Sequence, residues 1–144
     1  CEIGNHSFDH ADLATLSAED VTSQLSRTDE EIQNLVGHSA TVVRPPYGSF
    51  NDTVAGIAAR PLIMWSVDTL DWETQNADST VQNVMDNAQD GAIILMHDIF
   101  KESVDAAEVF IPQLIQEGYQ LVTVSELAAA KGITLEAGTS YGAF

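Results

Sequence analysis

Residues 62–72 read LIMWSVDTLDW, an apolar run from Leu62 to Val67 closed by Asp68, Asp71 and Trp72. A run of this length without polar alternation predicts a strand covered on both faces, as strands of a parallel sheet are. Ala92 to Met96 repeats the pattern and is followed by His97 and Asp98. The β-branched run Thr41-Val42-Val43 is followed by Arg44-Pro45-Pro46-Tyr47-Gly48, which must be a loop. A further strand is expected over Leu121–Val124.

Between these runs the sequence predicts helices. Ser17 caps one that runs to Val36, with Glu19 and Asp20 at its positive end and Gly37 as its stop. Val21, Leu25, Ile32 and Leu35 form its apolar stripe. Asn51 caps a second helix ending near Arg60. Others are expected over 79–89, 103–116 and 126–131, and the tail from Gly132 reads as loosely held. Helix and strand alternate with no long linker, which predicts an α/β fold with a parallel sheet or barrel. In such folds the chemistry lies beyond the C-terminal strand ends. Arg44, the Asp68/Asp71 pair and His97 all occupy that kind of position.

The 144 residues suffice for one domain spanning 1–144. Apolar residues make up 44% of the chain, so it should be globular. No apolar run approaches the ~18 residues of a membrane span. The single cysteine, Cys1, excludes an internal disulfide and a cysteine-rich zinc module. Five basic residues against 22 acidic ones give a net charge of −17. That balance argues against nucleic acid or an anionic membrane surface as partner. It suits solubility and is compatible with a neutral or cationic substrate.

Four short clusters carry candidate chemistry. His6-Ser7-Phe8-Asp9-His10 is an i, i+4 histidine pair, which on a helical turn points both rings at one ion. Two surface histidines are the plainer reading. Arg44 could pair with a buried carboxylate, and the rigid loop after it leaves the Tyr47 N–H able to face a ligand. Trp72 could wall a sugar site, but the plainer reading is a core residue. His97 ends an apolar strand, where a carboxylate partner would make it a usable general acid.

The ordered set H-S-F-D-H, R-P-P-Y-G, D-T-L-D-W and L-M-H-D-I resembles the polysaccharide deacetylases, the NodB homology domain of carbohydrate esterase family 4. All but the first of that family's motifs are present. The ending LVTVSELAAAKGITLEAGTSYGAF resembles the tail of bacterial cell-wall members. The resemblance implies a distorted (β/α) barrel, here incomplete, with the N-terminal strand or strands missing. The motif T-F-D-D-G, which supplies the family's catalytic base and third metal ligand, has no counterpart. Asp9 and Asp12 do not follow a strand as it requires. "EIGNH" therefore reads as the end of an internal strand, and Cys1 is not expected to be a natural start.

By resemblance, His6 and His10 are metal ligands for a divalent ion, most often Zn2+ with Co2+ as an alternative. The Tyr47 N–H completes an oxyanion site, His97 is the general acid, Asp71 supports it and Arg44 orients the base. Trp72, Leu95 and Pro46 shape the substrate pocket. The implied activity is removal of N-acetyl groups from N-acetylglucosamine polymers such as peptidoglycan or chitin. The alternatives are an O-acetyl xylan esterase and a non-catalytic carbohydrate-binding remnant. The partners implied are an acetylated polysaccharide and either an N-terminal fragment of the same domain or a dimer partner. The location implied is the bacterial cell surface or the extracellular space.

Overall fold

In a computed structural model describing all residues Cys1–Phe144, the run from Leu62 to Val67 is not one strand. Leu62–Ile63 belongs to a four-stranded sheet and Val67–Asp68 to a two-stranded one. The backbone changes partners between them. The Met64 N–H donates to the Tyr141 carbonyl, whereas the Ser66 and Val67 N–H groups donate to Ile93. Ser66 is the polar break that the expectation of one strand passed over. It is exposed, and its hydroxyl accepts the Ile93 N–H. The chain divides into two units at this point.

The first unit comprises 1–64 and 128–141. Its strands are β1 (Gly4–Asn5), β2 (Val42–Val43), β3 (Leu62–Ile63) and β6 (Ser140–Tyr141), all parallel, in the order β1-β2-β3-β6. Gly4 pairs with Val42, Val43 with Leu62, and Leu62 with Ser140. The tail expected to be loose thus completes a sheet edge through β6. Helix α1 (Ala18–Val36) is capped by Ser17, whose hydroxyl accepts the Asp20 N–H, and ends at Gly37 with φ 81°. Helix α2 (Asp52–Ala58) is capped by Asn51. Val21 and Leu25, one turn apart on α1, pack with Leu13, Val43, Val54, Ala58 and Leu62 as the core. Leu35, expected on the same stripe, is instead 81% exposed.

The second unit comprises 65–127 and 142–144. Its two parallel strands are β4 (Val67–Asp68) and β5 (Ile94–Leu95), in the register Val67 to Ile94. Helices α3 (Asp71–Thr74), α4 (Ala77–Asn87) and α5 (Lys101–Gln116) follow the strands. Val84 on α4 packs with Ala106, Phe110 and Leu114 on α5. Both tryptophans, Trp65 and Trp72, lie in this unit. Replacing the buried Phe110 by alanine should cost about 3–5 kcal/mol. Tryptophan fluorescence against denaturant should show the loss, and an unchanged midpoint would contradict this packing.

Leu121–Val124 is not a strand. Leu121 and Val122 are about half exposed, at 50% and 47%, and Val124 opens helix α6 (Val124–Ala130). Thr123-Val124-Ser125-Glu126 is a capping box. The Thr123 hydroxyl accepts the Glu126 N–H, and the Glu126 carboxylate accepts the Thr123 N–H. Local capping outweighs the β propensity of two valines and a threonine. No helix is long and apolar enough to cross a membrane. The strands form parallel sheets in an α/β fold and no closed barrel.

Candidate functional site

In the first unit, β1 and β2 run side by side in parallel, and the residues just past their ends form one cluster. The ladder continues one step beyond the strands, with the Arg44 N–H donating to the Asn5 carbonyl at 2.9 Å. His6 follows Asn5, and its Nδ1 lies 2.6 Å from the Arg44 carbonyl. A carbonyl only accepts, so Nδ1 carries the proton and the lone pair is on Nε2. The His6 and His10 rings meet edge to face, centroids 4.9 Å apart, and His10 meets Tyr47 likewise at 4.8 Å. The pair does not sit on a helical turn. Ser7 and His10 have φ of 63° and 62°, so the segment is a tight loop. The loop, not a helix, brings the two rings together.

Tyr47 lies in the short turn Pro46–Gly48 with φ 59° and ψ 8°. A left-handed tyrosine is uncommon and costs of order 1–3 kcal/mol. The flanking N–H groups of Gly48 and Ser49 bond back to Pro45 and Pro46, but that of Tyr47 donates to no group of the chain. The left-handed turn thus leaves one donor open beside a ring that packs on His10. Pro46 is buried.

Arg44 points back along the sheet. Its Nε donates to the Ile63 carbonyl at 3.1 Å, and a terminal nitrogen donates to Met64 at 3.3 Å. Burial lowers its pKa. The carboxylate partner the sequence suggests is not among these residues; the carbonyls at the end of β3 hold the guanidinium instead.

The histidine pair suits a metal ion as part of a ligand set. A ring whose Nδ1–H is held by a carbonyl, leaving Nε2 to coordinate, is the usual form of a ligating histidine. Within these residues no group of three or more His, Cys, Asp and Glu side chains converges. The two imidazoles therefore fit as two ligands of an ion that needs a third from elsewhere.

In the second unit, β4 and β5 end together, and the residues past their ends make a second cluster. The Thr69 hydroxyl donates to the Leu95 carbonyl at 2.8 Å, tying the two ends. Leu70, with φ 56°, turns the chain so that Asp71 enters α3 buried, 1% exposed. The Asp71 carboxylate is surrounded by donors. Oδ1 accepts from the Trp72 N–H at 2.9 Å and from His97 Nδ1 at 2.8 Å. Oδ2 accepts from the His97 N–H at 2.7 Å and from the Ser103 hydroxyl at 2.6 Å.

Burial alone would raise the Asp71 pKa. The hydrogen bonds from Ser103 and from the His97 ring and backbone, with the His97 charge, outweigh it and hold the carboxyl below the usual range. A carboxylate with a depressed folded-state pKa stabilises the fold above the ordinary value near ~3.9. That contribution is lost as pH falls through the depressed value. Acid unfolding should therefore steepen below about pH 4, and Asp71→Asn should remove part of the slope. An identical acid profile in the variant would contradict this.

His97 presents Nδ1 to Asp71, and its side chain is 32% exposed. Trp72 is 48% exposed, so it is not the core residue its type suggests. Leu95 is buried in β5. Ser103 and Thr69 went unnoticed in the sequence. Ser103 reads there only as a helix start, and nothing local marks it as the partner of an aspartate far back in the chain.

A family model described as polysaccharide deacetylase matches residues 1–61. The peptidoglycan-N-acetylmuramic acid deacetylase PdaC of Bacillus subtilis is 42% identical over 90% of this chain, which spans 28% of that protein. The peptidoglycan-N-acetylglucosamine deacetylase PgdA of Listeria monocytogenes is 39% identical over 97% of the chain, which spans 29% of it. A solved structure described as T48 deacetylase with substrate superposes with a TM-score of 0.92 at 38% identity. That match covers 97% of this chain and 69% of the other. The chain thus spans less than a third of these two curated relatives and about two thirds of the solved deacetylase.

Proposed function

Because this chain belongs to the polysaccharide deacetylase family, we propose that residues 1–144 form the larger part of one metal-dependent catalytic domain. It removes N-acetyl groups from N-acetylglucosamine-containing polymers such as peptidoglycan. The observation that carries the reading is the buried Asp71 carboxylate gripping His97 through Nδ1. An imidazole so held keeps Nε2 as the atom that gives and takes a proton. His97 protonates the departing amine, and Asp71 holds the ring and supports its charge. The Tyr47 N–H donates to the oxygen on which charge develops.

His6 and His10 hold a divalent ion, zinc being the first candidate. Such an ion supplies Lewis-acid polarisation of the acetyl carbonyl. The third ligand and the catalytic base come from outside residues 1–144, in the same polypeptide or in a second copy. Arg44 orients that base. Trp72 offers an exposed aromatic face for a sugar, and Leu95 and Pro46 are assigned as further substrate-binding residues. The substrate names carried by the relatives favour cell-wall glycan, and the proposed place of action is outside the cell or on its surface.

The choice between amide and ester substrates is tested by giving the full-length protein an N-acetylated glucosamine polymer and an O-acetylated xylan. Acetate should come from the first. Release from xylan alone would make the protein an esterase.

A further inference from the structure

The His6–His10 loop carries two left-handed residues that are not glycine, Ser7 and His10, and no helix or strand fixes its shape. Its N–H groups are taken by side chains instead. The Asn5 Oδ1 accepts the Ser7 N–H at 3.0 Å. The Gln24 Oε1 accepts both the Phe8 N–H at 2.9 Å and the Asp9 N–H at 3.2 Å. Three successive donors between the two histidines are thus held by two amide oxygens.

Both amides are anchored on α1. Gln24 belongs to that helix. The buried Asn5 donates through Nδ2 to the Leu25 carbonyl and to Asp29, each at 2.9 Å. Asp29 is fixed in turn by Arg60 through two contacts, at 2.7 and 2.8 Å. From the same helix the Arg27 guanidinium lies 3.6 Å over the Phe8 ring. One helix therefore grips the loop by its backbone and by the Phe8 ring.

We propose that Gln24 is a positioning residue for the histidine pair: by clamping the Phe8 and Asp9 N–H groups it fixes the spacing and aim of His6 and His10 before an ion arrives. The inference rests on the reading of those histidines as metal ligands. The two Gln24 bonds are exposed. Without them water satisfies the N–H groups, so stability changes little. The loop, however, must then be ordered at the moment of binding, and that entropy is charged to metal affinity. Groups that orient metal ligands are typically worth 10–100-fold in affinity.

Gln24→Met keeps length and helix propensity but removes the acceptor, whereas Gln24→Glu keeps it. Zinc affinity of the full-length protein is measured by chelator competition, and exchange of the Phe8 and Asp9 amides is followed in the metal-free protein. Gln24→Met should bind zinc roughly 10–100-fold more weakly, exchange those amides faster and keep its thermal midpoint, and Gln24→Glu should recover both losses. Parental zinc affinity in Gln24→Met, or equal weakening in both variants, overturns the proposal. A parent that binds no zinc refutes the metal reading itself. Amide exchange then still judges the clamp, and unchanged protection in Gln24→Met overturns it.

Discussion

Replacing His97 by alanine in the full-length protein should slow acetate release from an N-acetylated sugar by roughly 10²–10⁴-fold. The same change should cost far less on an activated aryl acetate. An amine leaves poorly unless it is protonated as the carbon–nitrogen bond breaks, whereas an activated phenolate needs no such help. The proposed role of His97 in that proton transfer rests on how its ring is held. Its Nδ1 is committed to Asp71 at 2.8 Å, and its backbone N–H holds the other carboxylate oxygen at 2.7 Å. The ring cannot turn without breaking a bond to a carboxylate that is 1% exposed. Asp71→Asn should follow the same pattern more mildly, because a neutral amide no longer supports the imidazolium. Bound metal should be unchanged in the His97 variant. Equal losses on amide and aryl ester would make His97 a structural residue.

His6→Ala and His10→Ala should behave differently. If the two rings hold the ion as proposed, each change should lower bound zinc and depress both reactions together by at least ~10²-fold, the upper range for groups that merely orient ligands. His38 is the control. It is exposed, with Nδ1 3.1 Å from the carbonyl of the adjacent Ser39, and His38→Ala should match the parent in metal and rate. Elemental analysis beside the two assays separates the roles. His6 and His10 variants that retain zinc and activity would remove the metal from the mechanism.

How much of this was legible in the sequence depended on how far each interaction reaches. Caps act within one turn, so Ser17 and Asn51 announce α1 and α2 correctly. The clusters after β1, β2, β4 and β5 were legible because strand ends and loop residues are neighbours in the chain. The split of residues 62–67 was not, because it follows from the partners that Met64 and Ser66 find, at Tyr141 and Ile93. β6 was hidden for the same reason. Ser140–Tyr141 has no apolar run of its own, and its pairing with β3 is a tertiary event. The Asp71–His97 contact spans 26 residues. It could be inferred from the family pattern, but Ser103, the third member, lies in no motif. Pro46-Tyr47-Gly48 reads as a tight turn with glycine as its permissive residue, yet Tyr47 too adopts positive φ. Which backbone donor such a turn exposes is decided in three dimensions.

If these residues serve metal-dependent deacetylation as proposed, the full-length protein should release acetate from an N-acetylated glucosamine polymer. The assay is run as purified, after chelation, and after zinc or cobalt is returned. Chelation should abolish acetate release and the returned ion should restore it. No acetate from metal-replete protein that still binds the polymer would contradict it and leave a carbohydrate-binding module. Release that chelation does not touch would contradict the role given to His6 and His10.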